Sequence, residues 1–196
     1  MKSTRLFTIT VIFLMIWIGI VEAQEFLVKT VLAADRFKLE NAETIRLIGV
    51  DVPETRKNDR AINQGKRLGV SVEAVNNMGV VAALFVKSMI EGKKVLLEFD
   101  QQKKDQSGFK PAYVFVRAPK DIKESDYSKG VIVDKGDDEK YFFLNALLID
   151  LDYARPRSMS PNKKFDNLFF MIDKDKEENA DPILNALFNS MSEKAK

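Results

Sequence analysis

Residues 35–55 read DRFKLENAETIRLIGVDVPET, and this stretch decides how the rest of the chain is interpreted. Polar and apolar residues alternate over residues 36–40, and a β-branched extended pattern follows over residues 44–50. Asn41 and Ala42 separate the two runs, and asparagine is well suited to a turn. Alternation on both sides of a short turn predicts a β-hairpin.

The ends of this hairpin carry acidic side chains. Asp35 comes just before the first strand and Asp51 just after the second, so the hairpin brings two carboxylates to one edge of the sheet. Oxygen donors of this kind suit a hard cation such as Ca²⁺. Pro53 turns the chain, which leaves the Val52 carbonyl available and displays Glu54 on the bend. A carboxylate near a metal-bound water can act as a general base.

Each of these residues also has a purely structural interpretation. Asp51 and Glu54 on either side of a proline can form a capped turn. Arg46 can be a strand-edge residue that pairs with Glu43, and an exposed pair of this kind contributes little to stability. The residues taken one at a time do not decide between the two interpretations.

Several motifs together resemble the staphylococcal nuclease (thermonuclease-like) family. RLIGVDVPET at residues 46–55 resembles the family signature RLLxVDTPET. Further segments match the first helix and the following strand, the AYVY strand and the VNEALV helix, in the family's order: residues 82–89, 93–100, 112–115 and 144–148. Linked motifs in one order are far more specific than any single motif.

The resemblance implies a fold and a domain organisation. The fold is α+β and mainly β, an OB-fold five-stranded Greek-key barrel with about three helices. The domain extends over residues 24–156, with insertions near residues 56–78 and 117–140. A C-terminal helical tail follows over residues 157–196.

The resemblance also implies an activity, that of an exported Ca²⁺-dependent nuclease that hydrolyses phosphodiester bonds in DNA or RNA. In that interpretation Asp35, Asp51 and the Val52 carbonyl hold the ion. Glu54 activates or orients water, and Arg46 binds the phosphate. The expected partner is single-stranded DNA or RNA, and the expected oligomeric state is a monomer.

Two departures from the family pattern favour a different function. The family's Asp-Gly-Asp-Thr turn retains only its second aspartate, as Asp35, and the arginine expected after Gly108 is replaced by Phe109. Lys110 is adjacent and can bind phosphate as a point charge, although it lacks the planar fork of arginine. The alternative is therefore a catalytically weakened OB module that binds nucleic acid or a protein partner.

Composition sets further limits. The formal net charge is +2, so affinity for polyanions must come from local patches. One such patch is the basic stretch of residues 56–67, which either contacts phosphate or forms a solvated loop or extra helical segment. Histidine and cysteine are absent from the sequence, which excludes imidazole and thiol chemistry.

The first 23 residues have the features of a targeting segment. Lys2 and Arg5 precede an apolar run over residues 6–21, and Val-Glu-Ala precedes Gln24. This pattern predicts export, either periplasmic or secreted, with cleavage after Ala23. The run is slightly long for a signal peptide, so an uncleaved membrane anchor over residues 6–21 stays the alternative.

Overall fold

A computed structural model describes residues 25–136 and 138–179. Their strands are β1 (Glu25–Ala33), β2 (Arg36–Leu39), β3 (Thr44–Leu47), β4 (Val50–Asp51), β5 (Lys94–Glu98), β6 (Lys110–Arg117), β7 (Ile132–Asp134), β8 (Lys140–Phe143) and β9 (Arg155–Pro156). Their helices are α1 (Asp59–Leu68), α2 (Val72–Ile90), α3 (Leu144–Asp150) and α4 (Asp166–Asn179). The predicted targeting segment and the end of the tail lie outside the described residues.

Five strands close into a mixed barrel. Strand β1 pairs antiparallel with β2 and β5, β2 with β3, and β5 with β6. A parallel pairing between β3 and β6 completes the circle. Strands β8 and β7 extend the sheet beyond β6, and β4 pairs separately with β9. The closed five-stranded barrel confirms the predicted OB-type fold.

The predicted hairpin is confirmed, but its second strand is shorter than expected. Arg36 lies opposite Arg46 across β2 and β3, and Ala42 makes the turn with a φ of 67°. Strand β3 ends at Leu47 because Gly49 has a φ of 80°, a conformation that interrupts an extended strand. The chain then enters β4, which pairs with β9 instead of continuing the hairpin.

The core lies inside the barrel and under α2. Ala82 and Val86 of α2 are completely buried, as their helical spacing predicts, and Phe85 and Met89 are partly buried against the same core. A cluster of aromatic rings continues this core towards α4, formed by Tyr113, Phe115, Phe143, Phe165 and Phe169. The packing of Phe169 brings α4 directly against the Gly49 backbone.

The described residues contain four helices where the resemblance implies about three. The additional helix is α1, which lies in the predicted insertion near residues 56–78. It begins where the Asn58 side chain accepts a hydrogen bond from the Ala61 amide at 2.7 Å, and it ends at Gly69 with a φ of 68°. Most of the basic stretch therefore lies on a helix, but its Arg60 and Arg67 side chains pair with Asp51 and do not simply face water.

No single helix in the described part of the chain is long and apolar enough to cross a membrane. By length and composition alone, α1 and α2 meet that criterion only as a pair, across a bend of 101°.

Candidate functional site

The turn that carries Glu54 is fixed by a close approach of α2. The Asn76 side chain donates a hydrogen bond to the Glu54 carbonyl at 2.9 Å. Gly79 lies so close that a Cβ there would be 2.6 Å from the carbonyl oxygens of both Pro53 and Glu54. Only glycine permits this contact, so α2 determines where the Glu54 side chain points.

Asp51 lies at the end of β4, where α1 covers it. Its Oδ1 accepts a hydrogen bond from Arg60 at 2.7 Å, and its Oδ2 accepts one from Arg67 at 2.6 Å. The Gln64 amide adds a longer contact of 3.3 Å to Oδ1. Burial opposes ionisation of Asp51, but the two guanidinium groups outweigh it and hold its pKa below the ordinary value. Asp51 is therefore an ionised carboxylate with both oxygens engaged.

Glu54 shares Arg60 with Asp51. The Glu54 Oε1 lies 2.7 Å from Arg60 Nη1, and its Oε2 accepts a hydrogen bond from Asn58 at 3.1 Å. Burial lowers the pKa of Arg60, but the attraction of Asp51, Glu54 and Asp35 raises it above its ordinary value. Three guanidinium groups therefore face the three carboxylates: Arg60 is shared by Asp51 and Glu54, Arg67 pairs with Asp51, and Arg36 pairs with Asp35.

Asp35 is almost completely buried, with 4% of its surface exposed. Its Oδ1 accepts a hydrogen bond from the Arg36 Nε at 3.0 Å, and its backbone carbonyl accepts one from the Leu47 amide at 2.9 Å. The second bond ties the start of β2 to the end of β3. Asp35 therefore pairs directly with Arg36, and its charge also raises the pKa of Arg60.

The residues proposed as calcium ligands already have protein partners. The Val52 carbonyl accepts a hydrogen bond from the Gln64 side chain at 2.8 Å, and both Asp51 oxygens accept from arginine. Within residues 25–136 and 138–179, no group of three or more acidic, histidine or cysteine side chains is arranged to hold a metal ion. In this conformation the donor set does not fit Ca²⁺, because Arg60 supplies the compensating positive charge.

Arg46 has different partners from those expected for a strand-edge residue. Its Nη1 donates to Asp105 at 2.7 Å, and its guanidinium lies 4.9 Å from the centre of the Phe109 ring. Its Nε is buried and has no hydrogen-bond partner among the described residues. A buried unsatisfied donor is unusual in a folded protein and marks a position where an anion can bind.

Lys110 and Phe109 are both engaged in the turn between β5 and β6. Lys110 forms an ion pair with Glu43, and this lysine holds the pKa of Glu43 below its ordinary value. Glu43 therefore pairs with Lys110, and Arg46 pairs with Asp105. Phe109 fills the position of the expected arginine and packs its ring on Arg46.

Sequence reasoning missed three features of this site. It noted Arg60 and Arg67 as cations that could meet phosphate, but not as partners of Asp51, and it did not identify Gln64. The signal was available, since residues 60, 64 and 67 share one helical face at i, i+4 and i+7 spacing. Asp105 was also missed, because its contact with Arg46 spans 59 residues.

Comparison with known proteins agrees with this architecture. The family model for staphylococcal nuclease homologues matches residues 44–140, which include Arg46, Asp51 and Glu54. Thermonuclease from Staphylococcus intermedius is 31% identical over 99 residues, covering 49% of this chain and 51% of that protein. The chain thus spans about half the length of this curated relative. Together with the closed barrel, these matches show that residues 44–140 of the chain carry a staphylococcal nuclease-like domain.

Proposed function

We propose that this chain is a nuclease that binds single-stranded DNA or RNA and hydrolyses its phosphodiester bonds. The observation that carries the proposal is that Asp51 and Glu54 share the Arg60 guanidinium, while the charge of the buried Asp35 adds to the attraction on it. Three carboxylates at one half-buried position are costly unless a cationic group or ligand is held there. The nuclease-like domain supplies the class of reaction for which such a site is used.

The proposed chemistry has two parts, phosphate binding by Arg46 and proton transfer to Glu54. Arg46 binds the phosphate, because its buried Nε is an unused donor and its contact with Asp105 holds the guanidinium in place. Glu54 accepts a proton from the water that attacks phosphorus, which requires the carboxylate to be free of Arg60. Arg60 then becomes available to the phosphate as negative charge increases there. The new P–O bond replaces the ester P–O bond, and the leaving oxygen takes a proton from solvent.

Calcium dependence is part of the proposal and carries a structural condition. The described conformation does not fit the ion, so Ca²⁺ can reach Asp51 and the Val52 carbonyl only after Arg60, Arg67 and Gln64 release them. The test is incubation of the chain with labelled single-stranded DNA, with Ca²⁺ or with EDTA. We expect cleavage with Ca²⁺ alone, whereas equal cleavage in EDTA would contradict calcium dependence.

The second candidate is a binding module without hydrolytic activity. It is favoured by Phe109, which occupies the position of a phosphate-binding arginine, and by the two arginines that saturate Asp51. The same incubation separates the candidates. Retention of intact DNA in both buffers supports the binding module and rules out the nuclease.

Export and a monomeric state complete the proposal. The basic start and apolar run of residues 1–23 support export. Fractionation of expressing cells followed by N-terminal sequencing tests it. A released chain that begins at Gln24 supports cleavage, and an intact chain in the membrane fraction supports the anchor over residues 6–21.

Light scattering of the released chain tests the proposed monomeric state.

A further inference from the structure

A cavity of about 740 Å³ adjoins Asp51 between α1, β9 and α4. Its charged lining consists of four arginines and two aspartates, so the cavity is electropositive: Arg60, Arg67, Arg155, Arg157, Asp51 and Asp173. An open cavity of this size and charge is suited to an anionic ligand larger than a single ion.

Two arginines of the cavity are anchored by aspartates, and the cavity still has guanidinium hydrogen-bond donors available to a ligand. Asp51 anchors Arg67, and Asp173 anchors Arg155 at 2.9 Å. A guanidinium has five donor hydrogens, so Arg67, whose side chain is 60% exposed, keeps donors for a ligand. The exposed Arg157 side chain forms no ion pair within the described residues, while its backbone amide donates to the Gly49 carbonyl at 2.9 Å. Asp51 thus holds Arg67 at the wall of the cavity with donors still available.

An aromatic ring completes the lining. Phe170 on α4 is 48% exposed, although the neighbouring Phe169 is buried in the core. Exposed aromatic rings next to arginines are typical of surfaces that bind single-stranded nucleic acid, because an unpaired base can stack on the ring. Bases in a duplex are stacked on each other and cannot use such a ring.

From this cavity we infer a second nucleic-acid subsite, in which Arg67 and Arg157 bind phosphates of a single strand and Phe170 stacks against a base. The inference rests on the proposed function and extends it to a cavity that adjoins the Asp35–Glu54 site and shares Asp51 and Arg60 with it. Arginine supplies the positive charge, so binding in this subsite needs no metal ion. It also predicts a preference for single strands over duplexes.

The test is fluorescence anisotropy of the full chain with a labelled oligothymidylate in EDTA, over a series of salt concentrations. Arg157→Ala should weaken binding roughly tenfold, since a charge-assisted hydrogen bond is lost. It should also reduce the slope of log K against log salt by about 0.7 for each phosphate contact removed. Phe170→Ala should weaken binding roughly fivefold or more, with an unchanged slope. Lys120→Ala, an exposed charge outside the cavity, is the control.

The outcomes separate this inference from the proposed hydrolysis. Wild-type affinity and slope in both cavity variants would overturn the subsite, even if the chain cleaves DNA. Weakened binding in both variants would support the subsite, even if no cleavage occurs with Ca²⁺. Equal competition by polyaspartate and oligothymidylate of the same charge would also overturn it, because it would indicate recognition of acidic polypeptides.

Discussion

At the scale of single residues, Arg60 is the centre of the site. It lies 2.7 Å from both Asp51 and Glu54, and Asp35 adds to the attraction. Arg60 supplies part of the positive charge that faces these carboxylates, and Arg67 and Arg36 supply the rest. Arg60 also competes with every cation that could bind the same oxygens, so removing it separates a structural role from a role in ion binding.

Arg60→Ala should destabilise the chain in calcium-free buffer, by about 1–2 kcal/mol, because Asp51 and Glu54 lose their shared partner in a partly exposed site. The same change should increase the stabilisation obtained on adding Ca²⁺, since a ligand that binds only the folded state raises stability by mass action. Thermal unfolding with and without Ca²⁺ measures both effects.

Lys66→Ala is the matched control, because Lys66 is an exposed cation on the same helix. Lys66→Ala should change neither the stability in calcium-free buffer nor the stabilisation obtained on adding Ca²⁺. If Arg60→Ala shows no greater response to Ca²⁺ than the wild type, the view that Arg60 competes with the ion is wrong.

At the scale of elements, the site depends on how α2 packs on the turn before α1. The Gly79 backbone touches the carbonyls of Pro53 and Glu54, and Asn76 bonds to the second of them. The register of α2 therefore controls the position of Glu54 without any contact to its side chain. Substitution at Gly79 tests this connection.

Gly79→Ala should destabilise the fold by roughly 1–3 kcal/mol, because the added methyl group meets backbone oxygens that cannot rotate away. A surviving folded fraction should bind DNA but lose turnover, as the Glu54 turn is displaced. Urea unfolding and cleavage rates per folded molecule measure the two effects. Asn77→Ala, an exposed change on the same helix, should preserve both; a Gly79→Ala variant that also preserves both would show that α2 does not fix the turn.

The elements also show how far sequence reasoning reaches. The hairpin was predictable because alternation and turn residues are local signals, and the core face of α2 follows from the spacing of Ala82 and Val86. The end of β3 at Leu47 was not predictable, because it depends on the packing of Phe169 against Gly49, and these residues are 120 positions apart in the sequence. The pairing of α1 with Asp51 required the direction of the helix, which local pattern does not supply.

Asn145 illustrates the same limit within one residue. It lies in the segment of residues 144–148 that resembles the family's VNEALV helix, and that pattern does not indicate which groups the side chain contacts. In the structure its completely buried side chain accepts from the Val114 amide at 3.0 Å and donates to the Ile48 carbonyl at 2.8 Å. It thus joins α3 to strand β6 and to the segment that follows β3, a role that only the tertiary arrangement defines.

At the scale of the whole molecule, ion pairs join segments that are distant in sequence. Glu98 of β5 lies 3.1 Å from Lys135 and also pairs with Lys164. Burial opposes its ionisation, but the hydrogen bonds from Lys164 and Lys135 outweigh that effect and lower the pKa of Glu98 below its ordinary value of 4.5. The stability of the whole fold should therefore depend on acid pH.

The lowered pKa of Glu98 determines the direction in which stability changes with pH. Its contribution to stability is fully present above the unfolded-state pKa near 4.5 and is lost as pH falls through the lower folded-state pKa. Glu98→Gln should cost about 1 kcal/mol or less at neutral pH, given the partial exposure of the pair. Urea unfolding of both proteins from about pH 7 to about pH 3 should show the two curves converging below about pH 4. A constant difference over this range would contradict the assigned ion pairs.

The most direct test of the central claim, that the Asp35–Asp51–Glu54 site hydrolyses nucleic acid, is the single-turnover cleavage rate of Glu54→Gln on single-stranded DNA with Ca²⁺. Glutamine keeps the shape of the side chain but cannot accept a proton from water. We predict a loss of roughly 10²-fold or more in rate, with DNA binding in EDTA unchanged. A rate equal to that of the wild type would contradict the account, because the reaction would then not use this site.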